Sequence, residues 1–279
     1  MSEKKLEGAG LRGQVAGKTS LSTVGKAGKG LTYRGYPIEV LSEKAKFEEV
    51  AYLLMYGSLP NKDEYENYSS KLISMRSLPN PILEVLERIP ASAHPMDVMR
   101  TGCSMLGNIE PEGEFSNQQE SADRILATMA SIIVYWYKYS HEGKKVNTSS
   151  DYETIGGHFL SLLHGDEPSE DHIRCLDTSL ILYAEHGFNA STFTARTCAS
   201  TLSDIHSCIT GAIGTLRGPL HGGANEAAME LIEQFSTTEE AKSTVLKMLD
   251  KKEKIMGCGH AVYSTCLLYT SPSPRDIMR

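Results

Sequence analysis

Signals that start helices recur along most of this chain. Asn61 and Glu64 have the spacing of a capping box. Asn80-Pro81 and His94-Pro95 each place a proline at the start of a helical segment. No segment shows the repeated strand and helix alternation that a parallel sheet requires. The sequence therefore predicts an all-α fold with about ten helices.

The expected helices differ in length and burial. Helices are expected over 151–164, capped by Asp151, and over 169–185, capped by Ser169. A single long helix is expected over 190–213. The segment 121–139 is strongly apolar and contains the only tryptophan, which predicts a buried helix. Its apolar part is too short to span a bilayer.

The first 38 residues are crowded with glycine, lysine, serine and threonine. Two short strands are expected, over 19–24 and 31–36, with a glycine- and lysine-rich turn between them. The segment lacks the G-x-x-x-x-G-K-[ST] pattern of a phosphate-binding loop. A surface β hairpin is therefore preferred to a phosphate site.

Composition narrows the class of protein. The 40% hydrophobic and 23% charged content is ordinary for a globular chain of one large or two smaller domains. The net charge of −7 argues against a nucleic-acid partner. No apolar run follows Lys4 and Lys5, so no secretory signal is expected. Scattered cysteines without a CxxC pair indicate reduced thiols in the cytoplasm or an organelle matrix.

One histidine lies in a loop of residues that bend the chain or leave space. His221 occurs within Gly218-Pro219-Leu220-His221-Gly222-Gly223-Ala224-Asn225, after which a helix is expected near Asn225. Glycines without a Cβ let a ligand or another backbone approach closely. Loops on rigid scaffolds carry much of function, so this placement favours chemistry over packing.

Two further histidines, His186 and His260, also lie at helix breaks beside a glycine. The gaps of 35 and 39 residues between the three do not have the close spacing of a metal site, and no metal is expected. Nucleophilic catalysis by Ser191 or Cys258 lacks a G-x-S-x-G elbow or an obvious base. A third interpretation is polarisation of substrate carbonyl groups, which suits a carbon–carbon condensation. A carboxylate would then remove the donor's carbon-bound proton.

Several blocks of the sequence resemble the citrate synthase family. The blocks are Tyr183–Arg196, Gly214–Glu230, Gly257–Tyr263, Leu11-Arg12-Gly13, Tyr33-Arg34-Gly35-Tyr36 and His94-Pro95-Met96-Asp97. Details such as Thr23-Val24-Gly25-Lys26 and Asn189-Ala190-Ser191-Thr192-Phe193 are most similar to its 2-methylcitrate synthase branch. The resemblance covers residues 10 to about 263.

The resemblance implies a multi-helical homodimer in which a large and a small domain close over the substrates. It places the large domain at 1–221, with the glycine-rich β segment 1–38, and an incomplete small domain at 222–263. It also implies condensation of oxaloacetate with an acyl-CoA co-substrate and hydrolysis of the thioester, without a bound cofactor or a membrane partner. The acyl-CoA is propionyl-CoA in one branch and acetyl-CoA in citrate synthase proper.

Site roles follow from the same resemblance. His221 is expected to stabilise the thioester enol, and His260 to polarise and then protonate the oxaloacetate carbonyl. His186 and Asn189 are expected to contact oxaloacetate. The coenzyme A segment is expected to comprise Lys254, Ile255, Met256, Gly257 and Cys258.

The sequence departs from the family pattern near its end. Cys258 stands where the family usually has an aromatic residue, and Tyr269 where a substrate-binding arginine is expected. The segment 264–279 has no helical period and resembles translated adapter sequence. Asp276 is the only acid after His260 and lies in that segment. We therefore expect this polypeptide to have little activity.

Three functional interpretations remain open. They are a 2-methylcitrate synthase of propionate catabolism, a citrate synthase, and a non-catalytic helical module that dimerises with intact subunits. One methylene in the acyl pocket separates the first two, a discrimination of about 1–3 kcal/mol. A cytoplasmic location is expected, or the mitochondrial matrix if a targeting segment has been lost.

Overall fold

The computed structural model describes residues 17–24, 30–218, 221–253 and 255, without the side chains of Ala224 and Asn225. Twelve α-helices and one two-stranded sheet lie in this part of the chain. The predicted all-α class is therefore confirmed. The helices, in chain order, are α1 (Ile38–Lys44), α2 (Phe47–Tyr56), α3 (Lys62–Ser74), α4 (Asn80–Glu87), α5 (Pro95–Ile109), α6 (Gln118–Glu142), α7 (Ile155–His164), α8 (Glu170–Tyr183), α9 (Ala190–Ala199), α10 (Ile205–Leu216), α11 (Gly223–Glu233) and α12 (Thr238–Asp250).

The β segment is smaller than predicted. Strand β1 (Thr32–Tyr33) pairs with β2 (Tyr36–Pro37) in an antiparallel hairpin. The turn runs through Arg34 and Gly35, both at positive φ. Segment 19–24 does pair with 31–36, as expected, but only through an antiparallel bridge between Ser22 and Tyr33, so the prediction of a full strand over 19–24 was wrong. The glycine-rich residues 25–29, expected to form the turn, lie outside the described residues.

Local capping chemistry explains most helix starts. Asn61, Ser169 and Thr237 each accept a backbone N–H from the first turn of their helix, as predicted. The cap of α7 is Thr154 rather than Asp151, because the threonine hydroxyl accepts from the N–H of Gly157. Helix α4 begins at Asn80, with Pro79 as the cap, so Asn80 is not the cap that the sequence suggested.

The predicted long helix over 190–213 is two helices, α9 and α10. Leu202 has φ +62°, a left-handed conformation that ends the first helix. Asp204 then caps the second, since its carboxylate accepts the N–H of Ser207. The resulting helical hairpin lets α10 pack against both α9 and α5.

Helix α6 separates two apolar clusters and forms the centre of the molecule. One cluster combines the β segment with α1, α2, α3, α7 and α8. The other combines α4, α5 and α10 with α6, including Trp136, which is 2% exposed. The prediction of a buried apolar helix is confirmed. Among the described helices, none has the length and apolarity needed to cross a membrane.

Candidate active site

The N-terminus of α9 is the point where two of the predicted histidine loops meet. Asn189 caps this helix, and its Oδ1 accepts the backbone N–H of Thr192 at 2.9 Å and the hydroxyl of Ser191 at 2.8 Å. His186 lies three residues before the cap, and the imidazole of His221 lies against Ser191. The structure thus brings His186, Asn189 and His221 to one helix end.

The ring of His221 is held by Ser191 through two contacts. The backbone N–H of Ser191 donates to Nε2 over 3.3 Å, and the Ser191 hydroxyl oxygen lies 2.9 Å from the same nitrogen. The amide N–H can only donate, so its contact requires Nε2 as the acceptor nitrogen. The hydroxyl of Ser191, whose proton goes to Asn189, can pair with Nε2 only as an acceptor, so the two contacts favour opposite tautomers; we adopt the one that satisfies the amide. A neutral imidazole that accepts at Nε2 carries its proton on Nδ1. His221 therefore presents Nδ1–H as a hydrogen-bond donor.

His221 is kept in its neutral form. Partial burial lowers the pKa of His221 from its ordinary value. The amide of Ser191 acts in the same direction, because it occupies the lone pair that would accept a second proton. A neutral imidazole still carries one N–H donor, which can stabilise a developing oxyanion.

The backbone of the His221 loop is bonded to the end of α10. The N–H of His221 donates to the carbonyl of Gly218 at 2.9 Å, and the N–H of Gly222 donates to the carbonyl of Leu216 at 3.0 Å. A Cβ at position 222 would overlap that same carbonyl oxygen, so the turn requires glycine there. Helix α11 begins directly after it, at Gly223 rather than near Asn225.

The loop that carries His186 is attached to the β segment. Glu185 accepts the hydroxyl of Ser22 at 2.9 Å and the N–H of Gly187 at 2.6 Å. The phenol of Tyr33 donates to the carbonyl of Leu182 at 3.1 Å. Gly187 has φ +67°, which a residue with a side chain would adopt only with strain. These contacts hold the segment between α8 and α9.

Sequence reasoning missed the roles of Glu185 and of the first turn of α5. In the sequence, Glu185 is an ordinary acid at a helix end. Its role in holding the loop becomes clear from its hydrogen bond with Ser22, which is distant in the sequence. Asp97 lies 3.1 Å from Arg100 and 3.6 Å from Arg217, next to the His221 loop. The signal available in the sequence was the block that begins His94-Pro95-Met96-Asp97.

Part of the predicted site lies outside the described residues. This applies to His260 and to Lys254, Met256, Gly257 and Cys258. Ile255 is described and is partly buried. Within the described part of the chain, no group of three or more His, Cys, Asp or Glu side chains is arranged to hold a metal ion.

The assembled groups suit recognition of carbonyl and carboxylate oxygens. His221 offers one neutral N–H donor, and α9 points its positive end towards the same place. A helix N-terminus favours an anion, and a loop histidine beside it adds a directed donor. The arrangement can therefore stabilise negative charge that develops on a substrate oxygen.

This chain is similar to known proteins over most of its length. Residues 10–266 match the family described as citrate synthase, C-terminal domain. A 2-methylcitrate synthase of Shewanella oneidensis is 64% identical over 260 residues, which are 93% of this chain and 69% of that protein.

Two solved structures share the fold. Citrate synthase from Thermotoga maritima superposes with a TM-score of 0.78 at 37% identity, covering 91% of this chain and 68% of that one. The ternary complex of carboxymethyl coenzyme A and oxaloacetate with citrate synthase from Thermoplasma acidophilum gives a TM-score of 0.81 at 26% identity, with the same coverage. With the family match over most of its length and the 64% identity to a named relative, this chain belongs to the citrate synthase family.

Proposed function

We propose that the protein condenses propionyl-CoA with oxaloacetate and hydrolyses the product thioester, which yields 2-methylcitrate and free CoA. The observation that carries this is the 64% identity to a 2-methylcitrate synthase over 93% of this chain. The His221 donor and the cap of α9 supply chemistry that this reaction needs.

His221 acts on the thioester. Its Nδ1–H donates to the thioester carbonyl oxygen while a carboxylate removes a proton from the α-carbon of the acyl group. The electron pair of the broken C–H bond forms the C=C bond of the enol, and the negative charge that grows on its oxygen is stabilised by the Nδ1 proton of His221, which that oxygen shares. The bond from Ser191 to Nε2 keeps the Nδ1 proton directed at that oxygen.

The enol carbon then attacks the keto carbon of oxaloacetate. A new carbon–carbon bond forms, and the keto oxygen takes up a proton, for which we propose His260 as the source. His186 and Asn189 hold oxaloacetate at the N-terminus of α9, where the helix dipole favours its carboxylates. Water finally cleaves the thioester, so that CoA leaves as the thiol.

The coenzyme A segment is proposed at Lys254, Ile255, Met256, Gly257 and Cys258. It follows α12, and Ile255 is its only described member. The acyl-CoA is a co-substrate in this scheme. Polarisation by histidine side chains supplies the activation, so the steps above use no resident cofactor or metal.

We also propose a homodimer that buries the outer faces of α11 and α12. These two helices expose four large apolar side chains, and exposed apolar surface is typical of a protein interface: Met229, Ile232, Leu246 and Leu249. As part of the same proposal, we place the domain boundary at 221/222. We also propose a cytoplasmic location and a role in propionate catabolism.

The test measures ligand binding as well as the release of free CoA, because the sequence predicts slow release from this polypeptide. Calorimetry is performed with oxaloacetate first, and then with propionyl-CoA or acetyl-CoA added to the oxaloacetate complex. We expect oxaloacetate to bind, and propionyl-CoA to bind more tightly than acetyl-CoA. Tighter binding of acetyl-CoA would favour citrate synthase, and failure of oxaloacetate and both thioesters to bind would refute the proposal.

A further inference from the structure

Side chains on both sides of the His221 loop contact charged or polar side chains in the first turn of α5. Before the loop, Arg217 lies with its Nε 3.6 Å from Oδ2 of Asp97. After the loop, Glu226 lies in the first turn of α11 with its Oε2 3.4 Å from Nε2 of His94. His94 and Asp97 are three residues apart at the start of α5, so they face the same side of that helix.

His94 is oriented by the helix that it begins. Its Nδ1 accepts the backbone N–H of Met96 at 3.1 Å, as an N-cap acceptor. The proton of the neutral ring is therefore on Nε2, which is the nitrogen that faces Glu226. The ring thus forms a directed link from the backbone of α5 to α11.

Asp97 is oriented in a similar way. Its Oδ1 lies 3.1 Å from Nη2 of Arg100, one turn further along α5, which leaves Oδ2 for Arg217. Arg217 follows directly after the last residue of α10, and its Nε is buried without a hydrogen-bond partner among the described residues. The Asp97 carboxylate is thus the charge that faces this buried nitrogen.

We propose that His94 and Asp97 are positioning residues for His221, acting through Glu226 and Arg217 on the two sides of its loop. The imidazole of His221 contacts Ser191 on α9, whereas the side chains of Arg217 and Glu226, on the two sides of its loop, contact α5. The distance between Nε2 and the Ser191 amide therefore depends on how α5 holds both loop ends. The functional consequence, but not the positioning itself, depends on the proposed role of His221.

The decisive variant is His94→Asn. Asparagine retains the capping acceptor for α5, since it is among the best N-cap residues, but it is too short to reach Glu226. Glu226→Ala removes the other partner, whereas Glu226→Gln keeps an acceptor for the His94 Nε2–H. Glu230→Ala removes an acid that is exposed one turn further along the same helix, and is the matched control.

The readout is the ¹⁵N spectrum of the His221 imidazole in the full chain with labelled histidine, assigned by loss of its signals in His221→Gln. We expect His94→Asn and Glu226→Ala to reduce the Nδ1–H form, and Glu226→Gln and Glu230→Ala to leave it unchanged. We also expect affinity for propionyl-CoA to fall about tenfold with oxaloacetate affinity retained, since a small misplacement of a reacting group is costly. Asp97→Asn should act in the same direction as His94→Asn.

An unchanged His221 spectrum in both His94→Asn and Glu226→Ala would overturn the inference. Failure of the proposed function gives a different result. The His221 spectrum would still change in the variants, but the unmodified protein would bind no thioester. Thermal unfolding of each variant identifies any general loss of folding, which Glu226→Gln should not show.

Discussion

The backbone N–H of Ser191 donates to Nε2 of His221 across 3.3 Å, and this contact is satisfied when Nδ1 carries the ring proton. A hydroxyl contact alone would not have shown which ring nitrogen carries the proton, because a hydroxyl can both donate and accept. The amide of Ser191 favours the ring form with the proton on Nδ1, whereas its hydroxyl, which donates to Asn189, favours the form with the proton on Nε2. With the amide satisfied, the first turn of α9 prepares His221 as a donor before any substrate arrives.

Asn189 has two roles that substitutions can separate. Asn189→Ala removes the acceptor for Thr192 and should lower the free energy of unfolding by about 1 kcal/mol. Asn189→Asp keeps a capping acceptor and should leave stability nearly unchanged, but it places a negative charge beside the proposed oxaloacetate site. We expect calorimetry to show oxaloacetate binding lost in Asn189→Asp. Retained affinity there would mean that Asn189 does not contact the substrate.

Gly222 and Gly223 form a matched pair for the His221 loop. Gly222→Ala places a Cβ onto the carbonyl oxygen of Leu216, which cannot move without disturbing the end of α10. Overpacking of this kind costs about 1–3 kcal/mol, and here it should also displace His221 from Ser191. Gly223→Ala meets the carbonyl oxygen of Gly218 at 3.9 Å, an ordinary contact, and should be tolerated. Equal melting temperatures for the two variants would contradict this prediction.

Helix starts were predictable from the sequence because capping is local. Asn61, Ser169 and Thr237 each satisfy an N–H within the next three residues. The break between α9 and α10 was missed because it depends on the left-handed backbone at Leu202, a residue type that seldom adopts it. Asp204 was the available signal, as an acid followed three residues later by Ser207.

The candidate site was only partly predictable. The histidines and Asn189 were identified by their position in loops and by family resemblance. The contact between Ser191 and His221 spans 30 residues, and that between Ser22 and Glu185 spans 163. Such pairs depend on how helices pack, which periodicity along one helix does not specify.

Glu48 should make the stability of the fold depend on pH. Its side chain is buried, and one carboxylate oxygen accepts the N–H of Ile155 at 2.6 Å. Burial raises the pKa of Glu48 from 4.5 to about 7. The folded state therefore holds the proton more tightly than the unfolded state. The stability that this supplies is fully present below pH 4.5 and is lost as the pH rises through 7, a change of about 3 kcal/mol.

Glu48→Gln should remove most of this dependence. We expect the difference in melting temperature between the variant and the unmodified protein to grow from pH 4.5 to 8. Burial lowers the pKa of His158 to about 3, so its contribution is lost as the pH falls and has the opposite sign. Taking the difference between the two proteins removes the His158 contribution. Glu66→Gln, at an exposed acid on α3, is the control, and a constant difference for Glu48→Gln would contradict the prediction.

The apolar residues of α11 and α12 should control oligomeric state. Leu246 and Leu249 are 52% and 56% exposed. We expect the double variant Leu246→Glu/Leu249→Glu to sediment as a monomer where the unmodified protein is a dimer, because charges are depleted at interface cores. Leu202→Glu changes a leucine that is 84% exposed elsewhere and should leave the dimer intact. Dimerisation of the double variant would exclude this face as the interface.

In the proposed reaction, His221 offers its Nδ1–H to the carbonyl oxygen of an acyl-CoA. The most direct test of this step is the ¹H,¹⁵N spectrum of the His221 imidazole, recorded alone, with oxaloacetate, and with oxaloacetate plus carboxymethyl coenzyme A. We expect a protonated Nδ1 and an unprotonated Nε2 throughout, with a downfield shift of the Nδ1 proton in the ternary mixture. A ring protonated at Nε2, or a Nδ1 proton that does not respond to the two ligands together, would contradict this expectation.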